Sequence, residues 1–323
     1  MPNRIAVKRL TKSDITFFAH HYHAQAAAGD TTAQKSINLN REVFIDRLYP
    51  GMDGEEDGIR FPVALFGPDG AGHVAAGVMV KKSQKNWRLN GFVRDPAEAP
   101  ERFTPLRPGD LVVMDFVGDD APRDGRLCFV CREEQAFLSL NGWLGGRAMA
   151  SLDRATLAAR LDADDVPADH PLRAFALNIG VAHAEMRQRL DALEKALAAL
   201  ADLPPPAAGL GHNQPPEPIE DEPLTAVERQ EVAAAVAMLK EQPPGPSEVS
   251  PDTAGVVARL GALAAKVGKY LAAKADVFVT EAVKSAGSET GKWAVRLPLW
   301  GAFGASLLAA AHAAEGWLRA LGH

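Results

Sequence analysis

Seven prolines fall between residues 204 and 223, and neither a helix nor a central strand runs through such a stretch, because each proline removes a backbone donor and fixes φ. Together with Gly209, Gly211 and several acids, Pro204–Pro223 cannot bury enough apolar surface to order itself, and it reads as a linker. The chain differs in kind on its two sides. Nearly all strand-like sequence lies in roughly residues 1–145, and beyond it the pattern is helical. A length of 323 residues with 47% hydrophobic content suits two packed parts better than one. The expected organisation is a β-rich domain over 1–150, connecting helices over 151–203, a linker over 204–224 and an Ala-rich helical domain over 225–323.

The first part reads as hairpins. Phe61–Phe66 (FPVALF) and Val74–Val80 (VAAGVMV) flank Gly67-Pro68-Asp69-Gly70, and Leu111–Val117 (LVVMDFV) and Leu127–Arg132 (LCFVCR) flank a longer Gly/Asp/Pro loop. Ile5–Leu10 is a further short strand. Short strands with turns between them predict a sandwich or barrel rather than βαβ units. Two short helices interrupt them. One follows Thr11–Asp14 and includes Phe17, Phe18 and Tyr22; the other spans about Arg41–Leu48.

Beyond residue 150 the periodicity changes. Ser151-Leu152-Asp153-Arg154 opens a short helix, and Pro171–Leu200 predicts a long one with its apolar stripe at Ile179, Met186, Leu190, Leu193, Leu197 and Leu200. Thr225-Ala226-Val227-Glu228 fits a capping box. That helix ends at Gln242-Pro243-Pro244-Gly245, and two more run over about Pro251–Lys284 and Gly291–Leu321. Leu297–Ala311 is uncharged, shorter than the ~20 apolar residues a bilayer span needs, and flanked by tryptophans and basic residues that suit an interface. The region 291–321 therefore leaves two roles open, self-association or core packing on one side and membrane contact on the other.

Charge narrows the search for chemistry. The net charge is −6, but residues 1–132 are near balance and the acid excess lies after them. Val78–Arg94 carries Lys81, Lys82, Lys85, Arg88 and Arg94 and no acid, and a local basic segment matters more to a polyanion than the sum over the chain. Lys81–Asn90 is expected to project as a loop or hairpin arm. Its cations can neutralise phosphates, Asn86, Arg88 and Asn90 can bond base edges, and Trp87 can stack or wedge. A second polar stretch, Gly29–Asn40, offers Thr31, Gln34, Lys35, Ser36 and Asn38 for the same work; its plain alternative is a turn with helix caps. His20, His21 and His23 do not share one helix face and have no Cys or acid at ligand spacing, so a metal is not expected. Cys128 and Cys131 have redox spacing but lie in a strand run, where they read as core residues. His212-Asn213-Gln214-Pro215-Pro216 in the linker is a candidate peptide motif for a protein partner, its alternative being plain linker. No Gly-rich phosphate loop, nucleophile elbow or metalloprotease helix occurs, and neither an enzyme nor a cofactor is expected. The start of the chain lacks an apolar secretion segment and the two cysteines form no disulfide framework, so a cytoplasmic setting is expected, with peripheral inner-membrane contact if residues 291–321 meet lipid.

The pattern Lys8–Asp14, then Gln34–Asn40, then Phe44 with Leu48-Tyr49-Pro50, then the strand leading into Lys81–Asn90, resembles the N-terminal effector-binding domain of the EcoRII restriction endonuclease, over about residues 4–132. That domain shares a pseudobarrel fold with plant transcription-factor domains. The resemblance implies an open, seven-stranded type of barrel with two short helices, followed here by an all-α region. It also implies two arms, Thr31–Asn38 and Lys81–Asn90, gripping double-stranded DNA in the major groove. No counterpart of that enzyme's nuclease domain is visible. The expectation is a bacterial sequence-recognising DNA-binding protein without its own nuclease, in restriction-like or antiphage defence. Its helical C-terminal region would mediate homo-oligomerisation or partner docking. The alternative is a membrane-acting defence effector or toxin.

Overall fold

The computed structural model describes residues 4–30, 34–54, 58–83, 86–201, 222–246, 249–282 and 290–322. Two compact units divide the chain. The first comprises 1–180, 243–249 and 319–323, and the second comprises 181–242 and 250–318.

Unit 1 is built on a curled eight-stranded sheet, a half-barrel. Its strands are β1 (Arg4–Arg9), β2 (Ser36–Leu39), β3 (Ile59–Phe66), β4 (Gly72–Ser83), β5 (Asn86–Asn90), β6 (Leu111–Val117), β7 (Asp124–Val130) and β8 (Met149–Asp153), in the order β2-β5-β4-β3-β7-β6-β1-β8. β3 and β7 pair in parallel and every other pair is antiparallel. Curling brings the edges together: the Asn40 amide just after β2 donates to the Met149 thioether at 3.3 Å. The sheet has eight strands, against five read from the residues and a seven-stranded type implied by the resemblance. The three not read as strands are β2, read in the sequence as a polar loop; β5, read as part of an arm; and β8, whose Ser151-Leu152-Asp153 continues the sheet so that the helix starts only at Arg154. Polar outward residues hid β2 and β5, whose other faces are apolar.

The interior of the curl holds one core, with Trp87, Phe44, Phe61, Phe103, Phe116 and Phe129 among its buried side chains. Between β1 and β2 come a 3-10 turn, Ile15–Phe17, and α1 (Ala19–Ala27). After β2, α2 (Arg41–Val43) runs on as a π-helical turn, Phe44–Leu48, that inserts Phe44, Ile45 and Leu48 into this core. A second core lies on the other face, under α3 (Gln135–Leu144), α4 (Arg154–Ala163) and α5 (Pro171–Phe175). Strands β1, β6 and β7 are thus covered on both sides, which is why LVVMDFV reads as an unbroken apolar run. Cys128 belongs to the second core and Cys131 to the first.

One charge breaks that run. Asp115 on β6 is paired across the sheet with Arg126 on β7, at 2.7 Å, and Arg154 at the start of α4 lies equally close at 2.7 Å. All three are buried. Two guanidiniums share one carboxylate, and their remaining donors meet carbonyls: Arg126 bonds Ala174, Leu177 and Ala320, and Arg154 bonds Phe175 and Leu177. The carbonyls of Ala174, Phe175 and Leu177 lie at the end of α5, and capturing them stops a helix that the sequence pattern predicted to run unbroken from Pro171 to Leu200. α6 starts afresh at Ile179 and runs to Ala201.

Unit 2 is helical. α6, α7 (Ala226–Glu241), α8 (Thr253–Ala282) and α9 (Thr290–Leu321) supply it. Met186, Leu190, Leu193, Val232, Val236, Leu239, Leu260, Val267, Phe303, Leu307 and Trp317 form its buried faces. The Thr225/Glu228 capping box is present in full. Lys240 joins Asp191 and Glu194 at 2.6 and 2.9 Å, tying α7 to α6. Residues 297–321 of α9, with a mean hydropathy of 1.3, are long and apolar enough to cross a bilayer by length and composition alone.

Burial by itself would raise the Asp115 carboxyl, but Arg126 and Arg154 outweigh it and hold the group below the ordinary aspartate range. Its contribution is therefore fully present above the unfolded aspartate pKa of about 3.9 and is lost as pH falls through the lower folded value. Asp115→Asn leaves two guanidiniums buried without a counter-charge, and a loss of about 3–5 kcal/mol is expected. Thermal unfolding at pH 7 checks this; a midpoint within 2 °C or so of the wild type would contradict it.

Candidate nucleic-acid interface

Among the described residues, no helix covers the outer face of the sheet at β2, β5 and β4, and the pleat decides what faces outward. Residues alternate sides along a strand. On β5, Trp87 and Leu89 point into the first core, so Asn86, Arg88 and Asn90 point out. On β2, Ile37 and Leu39 point in, leaving Ser36 and Asn38 out. Register then lines up Asn38, Arg88 and Lys81 across three strands, and Ser36, Asn90, Met79 and Arg60 across four.

The result is a cleft of about 450 Å³ whose walls include Gln34, Lys35, Arg60, Lys81, Arg88 and Asn90. Four cations and two carboxamides meet there, and no acid is among the lining residues. Two of its polar groups are underused. Ser36 is 2% exposed with no hydrogen-bond partner for its hydroxyl, and the Nε of Arg88 also has none. The Lys35 ammonium lies 4.5 Å from the centre of the Tyr22 ring and 4.2 Å from that of Phe92, a cation–π clamp at the cleft mouth.

Buried contacts behind the sheet hold this arrangement. Asp14 accepts from the Thr11 amide and hydroxyl and from the Asn38 amide at 2.8 Å, and pairs with the buried Lys8 at 3.1 Å. It thereby fixes β2 and occupies a donor on that strand's free edge, which would otherwise invite another strand. Pro62 on β3 cannot donate to the ladder, and the register slips there. Opposite it, Gly77 takes φ +70°, a bulge conformation that a side chain would strain. Arg60 donates to the Gly77 carbonyl at 3.1 Å, which draws the guanidinium along the cleft floor. Gly91 donates to the Lys35 carbonyl at 3.0 Å, and a Cβ there would stand 2.4 Å from the Phe17 ring.

The residues singled out in the sequence separate into groups. Gln34, Lys35, Ser36, Lys81, Arg88 and Asn90 line the cleft. Asn38 sits beside it, donating its side-chain amide to Gln34 at 3.3 Å, and Asn86 is exposed at the end of the same face. Lys81–Asn90 takes the hairpin form of the expected loop or hairpin arm, with both strands in the sheet: β4 continues to Ser83, which pairs with Asn86 at the start of β5. One expectation needs correction. Trp87, expected to stack or wedge, is wholly buried between Phe44 and the rest of the first core. Lys82 shares a row with Trp87 and therefore projects from the opposite face to Lys81. Thr31, Lys85 and the linker motif His212, Asn213, Gln214, Pro215 and Pro216 lie outside the described residues. Sequence reasoning passed over Arg60 and Phe92. Arg60 is far from the basic segment in the chain, and only the β3–β4 register brings it in; Phe92 carries no signal apart from being exposed.

Other candidates have plain positions. His20 and His23 are exposed, whereas His21 Nε2 donates to the Phe103 carbonyl at 2.9 Å, and burial pulls its imidazole pKa down. Among the described residues no three His, Cys, Asp or Glu side chains are grouped to hold a metal. Burial pushes both thiols up, Cys131 to about 12. No family model, curated protein or solved structure matches this chain.

Asp14→Ala removes the carboxylate that holds β2 in place and leaves Lys8 buried with no counter-charge. The Asn38 amide is expected to exchange with solvent at least tenfold faster, while the Val113 amide in doubly covered β6 keeps its ranking as slow. Hydrogen-exchange mass spectrometry or NMR reads both, and unchanged Asn38 protection would dismiss the holding role.

Proposed function

We propose that this protein binds double-stranded DNA through the outer face of β2, β5, β4 and β3. One observation carries the reading: Lys35, Arg60, Lys81 and Arg88 converge with Gln34 and Asn90 on one cleft whose lining residues include no acid. Each cation that meets a phosphate releases condensed counterions, which supplies affinity without sequence information. The carboxamides supply the other need, since Asn and Gln can bond base edges while cations fix register on the backbone. Asn38 and Asn86 extend that set along the same face.

The finer assignment follows the resemblance. The half-barrel is a pseudobarrel of the EcoRII effector type, its DNA contacts drawn from the stretches 31–38 and 81–90, now including Arg60 between them. Trp87 has no part in contact and acts by fixing β5 from behind. The protein is then a bacterial sequence reader without a nuclease of its own, acting as sensor or adaptor in restriction-like or antiphage defence. Unit 2 serves oligomerisation or docking of a partner. A second reading gives α9 a bilayer as its partner, on the strength of residues 297–321 alone. In that case the full chain floats with anionic vesicles, and deleting residues 291–323 abolishes flotation; recovery only in the soluble fraction dismisses it.

The DNA reading is tested with the full chain. Fluorescence anisotropy with a random-sequence duplex pool is measured at several salt concentrations, beside the triple variant Arg60→Ala, Lys81→Ala, Arg88→Ala. Expected is wild-type binding that weakens steeply with salt, and a plot of log affinity against log salt whose slope is shallower by about 2–3 in the variant. Sequencing of the bound pool reports whether one site is enriched. Absence of binding, or binding indifferent to salt and to the triple change, overturns the reading.

A further inference from the structure

A second cleft, of about 390 Å³, adjoins the cationic one and shares Gly77, Gly91 and Phe92 with it. Its chemistry is different. Ala75, Ala76, Gly77 and Gly91 supply little side chain to this slot, and His73, Arg94 and Asp95 add polar groups to its walls. Val74 and Phe92 are exposed by 45% and 36%, and they are two of only four large apolar side chains left exposed among the described residues of unit 1. Single exposed apolar residues are ordinary; two lining one slot beside four cations are not. The Phe92 ring is held rather than loose, edge to face with Tyr22 at 5.5 Å and against the Lys35 ammonium.

A ligand that satisfies both clefts joins a flat apolar ring to an anion a few ångströms away. A nucleotide has that form. In a paired duplex the faces of each base are covered by its neighbours in the stack, and none can enter the slot. A base already unpaired enters without the cost of opening a pair. Stacking on an aromatic side chain then adds affinity with little regard to which base it is. We propose that the two clefts together take one unpaired nucleotide of a DNA strand, its base against Phe92 and its phosphate among Lys35, Arg60, Lys81 and Arg88. The proposal rests on the DNA-binding reading and names the feature of DNA that this site prefers.

The experiment compares two labelled oligonucleotides on the full chain, a perfectly paired duplex and the same duplex with one bulged nucleotide. Two variants run beside the wild type. Phe92→Ala removes the stacking ring. Ala76→Phe, at an exposed strand position that suits an aromatic residue, fills the slot. Expected is about tenfold tighter binding of the bulged duplex by the wild type, a preference that both variants lose, while Ala76→Phe, which lies outside the cationic cleft, keeps paired-duplex affinity within about twofold. Equal wild-type affinity for the two duplexes overturns the proposal and leaves the DNA reading standing. So does a preference that survives both variants. Binding of neither duplex overturns both readings together. The wild-type comparison decides the matter even if one variant fails to fold.

Discussion

Asp115 neutralises only one of the two guanidiniums that face it, so the buried cluster on the outer side of β6 and β7 carries a net positive charge. Burying such an excess is costly unless dipoles answer it. Here they do. The carbonyls of Ala174, Phe175 and Leu177, at the end of α5, and of Ala320 point at Arg126 and Arg154, and a helix C-terminus is where partial negative charge collects. The cluster therefore sets more than local stability. It decides where α5 stops, ties Ala320 to the sheet, and closes the outer face of β6 and β7 to solvent. The Phe175 ring completes the enclosure, 4.4 Å from the Arg126 guanidinium.

That closure makes the opposite end of the sheet usable. A strand covered on both faces resists deformation, because both sets of side chains must repack together. β1, β6 and β7 form such a block. β3 is the hinge between regimes: its Ala64 and Phe66 lie under the helices, while Arg60 at its start faces the open cleft. β4 and β5 hang from it with one face buried and the other wet. Polar side chains on the wet face are positioned by the ladder rather than by loops, and rigid presentation lowers the ordering cost of any contact they make.

The two regimes were unequally legible. LVVMDFV and LCFVCR announce the strands of one hairpin, and the turn at Gly67–Gly70 announces the other; both hairpins are present. The basic segment was visible as charge, but its geometry was not. Adjacent Lys81 and Lys82 look equivalent in sequence, yet a period of two sends them to opposite faces, and Trp87 among them looks like a reader until the same period turns it inward. β8 was hidden because Ser151-Leu152-Asp153 precedes a true N-cap at Asp153, and a cap residue is compatible with a strand ending one position earlier. Arg60 was beyond reach because its place in the cleft depends on the bulge at Gly77, a long-range property of two strands. The break after α5 was equally hidden, since it is imposed by arginines contributed from β7 and α4.

Net charge and local charge also have to be reconciled. A chain of net charge −6 is repelled by a polyanion at long range, and only a field focused within one cleft can overcome that at close range. Surface lysines scattered over an acidic protein would be screened within about 8–10 Å at physiological ionic strength. Four cations gathered on one face by strand register act over a shorter distance than that and reinforce one another. On the proposed DNA-binding reading, the acidic remainder suppresses adhesion elsewhere on the molecule and confines contact to the face where carboxamides and an exposed ring stand beside the cations. A uniformly basic surface would bind more tightly and discriminate less.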